Sequence, residues 1–459
     1  MDRRPGGEPS GDHAPRSPGG RMFPTTRTLR RSAAVLAAGC CLALLAPISA
    51  TGIARPAVPA STSLQETQQE VRPGSGASPH RVEGTGEARD RTAVSRTGVD
   101  ILAVEGDALT VLATPDQLAE VERLGFPTAP LAPRTEDVPS DPLAFPPNHQ
   151  GYHDFAEVTS ELRRTVSEHP DIARMSSIGA SHEGRDLWLL SIGTPGPDVP
   201  EVLFTCSQHA REHLTTEMCL RIVERFTDGY GTDPDITRVV DGRVIHVVPV
   251  VNPDGKEYDI ATGQFRSWRK NRQGQGTDLN RNWGHQWGCC GGSSGSPGSS
   301  TYRGAAAFSA PETARVRDFV ASRVVGGEQR ITAHIDWHTY SELVLWPYGY
   351  TYAETGPGLT ARDARVFATL GRQLAATNGY TPMQASGLYI TDGSIDDWMW
   401  AAHGIWSYTF EMYPRGAGGG GFYPPDSVIE RETARNDEAV DLLLSYADCV
   451  PRVIGETCS

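Results

Sequence analysis

The sequence predicts an α/β fold, a large domain with a mixed, mostly parallel sheet flanked by helices, and three observations carry that expectation. Beyond Tyr152, helical and strand-like patterns alternate along the chain. The apolar runs Val202 to Cys206 and Val244 to Val251 lack polar alternation and read as strands buried on both faces. These runs, with Ile331 to Trp337 and Trp406 to Phe410, lead into His209, Asn252, His338 and Glu411. Open α/β sheets hold ligands beyond the carboxyl ends of their strands, so these distant segments are expected to converge there. One helix is signalled by sequence alone: Ser309-Ala-Pro-Glu312 reads as a capping box with proline in the first turn.

The chain has 459 residues, more than one ordinary domain needs, and its N-terminal third reads as processing segments. Arg27, Arg30 and Arg31 precede an apolar run from Ser32 to Ala50, too short for a comfortable membrane span. Residues 1–50 are therefore expected to be a signal peptide, with Met22 as an alternative start. The pair Arg30-Arg31 raises a twin-arginine route and Cys40 a lipid anchor, but Cys40 lies inside the apolar run beside Cys41. From Thr51 to Asp100 the chain is rich in Pro, Gly, Ser and Thr and reads as flexible. Val99 to Phe126 reads strand, turn, strand, helix, followed by a Pro-rich stretch; residues 51–136 are expected to be a pro-segment and linker, and 137–459 the main domain.

A net charge of −14 argues against nucleic acid as a partner, since phosphate binding needs a basic surface. It suits an exported protein, free of the membrane after processing. Of eight cysteines, six lie beyond the signal: Cys206, Cys219, Cys289, Cys290, Cys449 and Cys458. An even set fits an oxidising compartment. Cys449 with Cys458 suggests a staple on the C-terminal tail, and a bond between the neighbours Cys289 and Cys290 is expected to be strained.

Catalytic zinc takes three protein ligands, commonly imidazole and carboxylate, and keeps a fourth position for water. His209-Ala-Arg-Glu212 offers two ligands and His338 the third. With His213, the same stretch also matches the His-x-x-Glu-His pattern of inverted zincins. That pattern needs a helix, whereas an apolar strand runs into His209, so His213 is assigned to packing or to supporting the ligands.

The segments His209-x-x-Glu212, Ser267-Trp-Arg-Lys-Asn-Arg272, Asp278-Leu-Asn-Arg-Asn-Trp283, His338-Thr-Tyr-Ser341, Tyr389 and Tyr408-Thr-Phe-Glu411 occur in one order. That order resembles the zinc carboxypeptidases of the carboxypeptidase A/B group, most closely the bacterial carboxypeptidase T type, from about Asp137 onward. The resemblance implies an eight-stranded sheet in a single catalytic domain and a secreted exopeptidase that removes C-terminal residues. It implies one zinc per chain, held by His209, Glu212 and His338, with Asp278 behind His209. Glu411 would be the general base and Arg269 the oxyanion stabiliser. Arg281 with Asn280 would clamp the terminal carboxylate, Tyr389 would close over it, and Tyr340 and Arg211 would line the substrate path.

The residue just before the Asp397-Trp398 pair sets the specificity pocket in such enzymes, which places Asp396 at its base. An acidic base resembles enzymes that prefer terminal Lys or Arg, while the position used by the carboxypeptidase T type is Gly387 here. Basic or mixed basic and hydrophobic preference is expected. The resemblance further implies peptide and protein C-termini as partners, an activating protease, a monomer, and room for structural calcium in acidic loops, at no assigned residue. Two rivals are a zinc amidase of the same fold acting on cell-wall peptides and a non-catalytic binding domain, against which the complete residue set speaks.

Overall fold

The computed structural model describes residues 76–131, 145–196 and 199–458, all within one compact unit, Gln69–Ser459. The signal-peptide, twin-arginine and Cys40 readings, and the Pro-rich stretch from 132 to 144, lie outside the described residues.

The first described segment is a small unit in the order β1 (Ser78–Glu83), α1 (Ala88–Ser95), β2 (Asp100–Glu105), β3 (Ala108–Ala113), α2 (Pro115–Arg123) and β4 (Thr128–Pro130). Its strands pair antiparallel in the order β2-β3-β1-β4. Val82, Val94, Leu109, Val111 and Val121 form its own small core. The expected strand-turn-strand-helix is β2, β3 and α2, but the stretch before Asp100 is not structureless. β1 and α1 lie in it, and they escape periodicity because only a few of their residues are apolar and buried.

The main domain follows as α3 (Phe155–Glu168), β5 (Ala173–Ala180), β6 (Asp186–Ile192), β7 (Glu201–Cys206), α4 (His213–Asp228), α5 (Pro234–Gly242), β8 (Val244–Val248), α6 (Pro253–Ile260) and α7 (Pro311–Ser322). A short hairpin, β9 (Val324–Val325) with β10 (Glu328–Gln329), leads to β11 (Ile331–Thr339), β12 (Leu343–Trp346), α8 (Ala361–Asn378), β13 (Thr381–Gln384), α9 (Ile395–His403), β14 (Trp406–Met412), α10 (Ile429–Ala434) and α11 (Asp437–Tyr446). Eight strands form one mixed sheet in the order β13-β12-β14-β11-β7-β8-β6-β5. The middle strands β8, β7, β11 and β14 are parallel and almost wholly buried, as their apolar sequences require. Apolar clusters cover both faces, one packed with α4, α8 and α11 and the other with α7 and α9.

One expectation changes. Ser309 does not cap α7; Ala310 is its N-cap residue and has no side-chain cap. The buried Asn282 takes that part, accepting from the Ala310 amide at 3.0 Å and from the Thr313 hydroxyl at 2.7 Å. Glu312, meanwhile, accepts from the His182 amide and the Asn271 side chain. The local capping motif has yielded to partners remote along the chain. The cysteines pair as Cys206–Cys219, Cys289–Cys290 and Cys449–Cys458, so the tail staple is present and the adjacent pair does bond.

Candidate active site

At the carboxyl end of β7 the chain turns sharply at Ser207, whose φ of 57° directs it toward His209 and the start of α4. Asn252, just beyond β8, donates to the carbonyls of Gln208 and Lys270 and fixes this turn against the neighbouring loop. His209 and Glu212 therefore face one point. His338, near the end of β11, reaches the same point from the adjacent strand.

Glu212 Oε1 lies 2.8 Å from His209 Nδ1, Glu212 Oε2 2.9 Å from His338 Nδ1, and the two Nδ1 atoms are 3.1 Å apart. All three residues are buried, and their ligand atoms lie within 4.8 Å of one another. Two imidazoles and a carboxylate with converging lone pairs are the donor set of a catalytic zinc site, so the residues present fit that ion. Each imidazole has a carboxylate behind it. Asp278 Oδ1 is 3.1 Å from His209 Nε2, while Asp336 Oδ2 meets His338 Nε2 and also accepts from Gln208. Such partners fix the tautomer that leaves Nδ1 free to ligate.

Asp278 Oδ2 accepts from Arg269 Nε and a terminal nitrogen, both at 3.1 Å. Burial opposes both charges, but the pair outweighs it: Arg269 is held well above its ordinary value and Asp278 well below. His209 and His338 likewise overcome burial and hold Glu212 far below the usual carboxylate range. Glu411, on β14 beside His338, responds differently, since burial pushes it up to about 7 against the pull of His338.

Asp278 also opens the 3₁₀ turn Leu279–Arg281, accepting from the Asn280 amide. Asn280 accepts from the Ile395 amide at 2.9 Å, and Arg281 donates to the carbonyls of Gly292 and Asn280. Asn280, Arg281, Tyr389, Asp396, Glu411 and Arg269 line one pocket, together with Tyr340. Asp396, in the first turn of α9, meets the Ser407 hydroxyl through one carboxyl oxygen and, at 2.5 Å, accepts from Thr409 through the other; burial pushes it up to about 7. Every expected site residue except Arg211 lines this pocket, belongs to its metal-ligand corner or, as Asp278 does, hydrogen-bonds a residue of that corner. His213 stands apart, between Asp259 and Lys256.

The small N-terminal unit contributes to this pocket: Ile101 to Val104 of β2 are among its lining residues. Asp100 accepts from both terminal nitrogens of Arg211, at 2.6 and 3.1 Å, and the same guanidinium stacks 4.0 Å from the centre of Phe422. Arg91 of α1 donates to the carbonyls of Gly387 and Leu388, and Thr92 accepts from the Ile390 amide. The segment around Tyr389 is thus tied down on both sides.

Sequence reasoning missed Asp336, Gln208, Ser407 and Thr409. The signal was available in strand period: Asp336 and His338 share a face of β11, as Ser407, Thr409 and Glu411 share a face of β14.

Residues 158–439 match the family model described as zinc carboxypeptidase. The chain is similar to the zinc carboxypeptidase of Saccharothrix mutabilis subsp. capreolus, 53% identical over 447 residues that cover 94% of this chain and 99% of that protein. It is 32% identical to carboxypeptidase B of Bos taurus over 65% of this chain and 71% of that protein. The carboxypeptidase A of Helicoverpa armigera shares the fold, with a TM-score of 0.67 at 24% identity, covering 81% of this chain and 98% of the other.

Proposed function

Because this chain belongs to the zinc carboxypeptidase family, whose members hydrolyse peptides at the C-terminus, we propose that it is a secreted precursor whose processed form releases single basic or hydrophobic residues. The observation that carries this reading is the meeting of His209, Glu212 and His338 with Glu411, Arg281 and Tyr389 around one pocket.

His209, Glu212 and His338 would hold one zinc, which when bound supplies Lewis-acid polarisation and an acidified water. Arg281, with Asn280 at its side, holds the terminal carboxylate of the substrate, for which a planar guanidinium is the best partner. Tyr389 donates to the same group. Tyr340 and Arg211 flank the chain leading back from the scissile bond. Glu411 takes a proton from the attacking water and returns it to the leaving amine; a carboxyl near 7 suits both transfers at neutral pH. Arg269, anchored by Asp278, donates to the oxyanion as it forms. Asp396 forms the pocket floor beneath the terminal side chain.

Residues 1–50 act as the signal, 51–136 as a pro-segment and 137–459 as the monomeric catalytic domain, freed by a protease near Arg134 to Asp137; calcium would bind acidic loops. The packing of β2 against the pocket, where Ile101 to Val104 line it beside Arg281 and Glu411, supports the pro-segment role. No helix among the described residues is long and apolar enough to cross a membrane. The test is release of the last residue from blocked dipeptides ending in Arg, Lys, Phe, Leu or Glu, with and without a zinc chelator. Chelator-sensitive release is expected for Arg, Lys and the hydrophobic residues; no release would return the amidase or binding reading.

A further inference from the structure

A buried polar chain runs from the metal-ligand corner to the pocket floor. Asp336 Oδ1 meets the Thr205 hydroxyl at 2.5 Å, and that hydroxyl lies 2.8 Å from His334 Nε2. His334 Nδ1 is 2.7 Å from the Ser407 hydroxyl, which meets Asp396 Oδ1. The parallel register of β11 and β14 sets this up, pairing His334 with Ser407 and Asp336 with Thr409.

These four contacts each need one hydrogen. Thr205, Ser407 and a neutral His334 supply three between them. One more proton must therefore reside in the chain, and there are three places for it. At Asp336, Oδ2 already accepts from His338 and Gln208, and Oδ1 faces Thr205, which is the demand placed on an anion. At His334 the ring is fully buried between two hydroxyls with no carboxylate touching it, and burial pushes it down to about 4. At Asp396 no cation is in hydrogen-bond contact, and Ser407 can accept its proton while Thr409 donates to the other oxygen.

We infer that Asp396 is a neutral carboxylic acid in the empty enzyme, so that a terminal Arg or Lys must displace this proton to solvent while a hydrophobic side chain binds without displacing it. The inference rests on Asp396 being the pocket floor, as proposed above. The proton leaves Asp396 for water, the carboxylate formed pairs with the cation, and the rest of the chain keeps its hydrogens. Facing Asp396 are Asp397 on its own helix, Glu411 on β14, His334, Asp336 and His338 on β11, and Arg281 and Tyr389 across the pocket. Asp397 disfavours a second charge beside it, and burial takes Asp396 to about 7, against the preference of the α9 N-terminus for an anion. A neutral floor would let one pocket accept both side-chain classes.

The test uses zinc-loaded enzyme, folded as the full chain and then processed, and compares kcat/KM for Arg-ended and Phe-ended blocked dipeptides from pH 5.5 to 8.5. Glu411 and Tyr389 serve both substrates, so the ratio cancels their titration, and arginine stays charged throughout. The Arg/Phe ratio is expected to rise about tenfold per pH unit and level off above about 7. A constant ratio with Arg released would overturn the inference and leave Asp396 as the floor; release of Phe but never Arg would overturn the floor itself. His334→Leu lets Ser407 donate to an ionised Asp396 and is expected to move the inflection to lower pH. Should that variant not fold, calorimetry in two buffers reads the wild type. A non-hydrolysable analogue ending in arginine is expected to release close to one proton at pH 6, and its phenylalanine counterpart none; equal values would overturn the inference.

Discussion

Two buried carboxyls beside the metal-ligand corner answer burial in opposite ways. Glu411 has no donor that offsets its loss of water, and burial carries it up to about 7. Asp336 is equally enclosed, but His338, then the hydrogen bonds it accepts, reverse the effect and hold it below its ordinary value. Their tasks should separate on substitution. Glu411→Gln keeps the shape and removes the base, so terminal-residue release is expected to fall about 10²- to 10⁴-fold while zinc stays bound. Hydrolysis at the wild-type rate would remove Glu411 from that role. Asp336→Asn should instead weaken zinc about 10- to 100-fold in competition with a chelator, the effect usual for the partner behind a metal-bound imidazole; an unchanged affinity would show that His338 needs no such anchor.

At the scale of elements, the parallel pairing of β11 with β14 sets His338 beside Glu411, Asp336 beside Thr409 and His334 beside Ser407. A shift of one strand by one residue would turn its three side chains to the face opposite the other three, so the register and the chemistry are inseparable. The 3₁₀ turn that carries Arg281 depends in turn on Asn282. Its amide nitrogen donates to the carbonyls of Arg303 and Ala306, each at 2.8 Å, and its oxygen caps α7. Asn282→Ala would leave several buried groups without partners, and a loss of about 3 kcal/mol in chemical unfolding is expected. A loss below about 1 kcal/mol would mean that α7 is held by packing alone.

For the molecule as a whole, the contact between Asp100 and Arg211 joins the N-terminal unit to the main domain. Arg211 is fully buried and its guanidinium pairs with Asp100 at 2.6 Å, so removing the carboxylate strands a charge, at a cost of roughly 3 kcal/mol or more. In the intact chain Asp100→Ala should loosen β2 from the pocket and raise residual release of terminal residues at least tenfold, with the processed enzyme unaffected. An intact variant as silent as the parent would show that Ile101 to Val104 and the Arg91 clasp close the pocket without help.

The sequence by itself determined the α/β class, the buried central strands and the ordered residues that line the candidate site, because apolar runs and short motifs are local features of the chain. Asn282 as the cap of α7, and β1 with α1, were decided only by tertiary structure. In each case the deciding partner is remote along the chain: Asn282 lies twenty-eight residues before the amide it caps, and Arg91 reaches carbonyls almost three hundred residues away. A buried donor donates to whichever oxygen the fold brings near, and no local pattern records which one that will be.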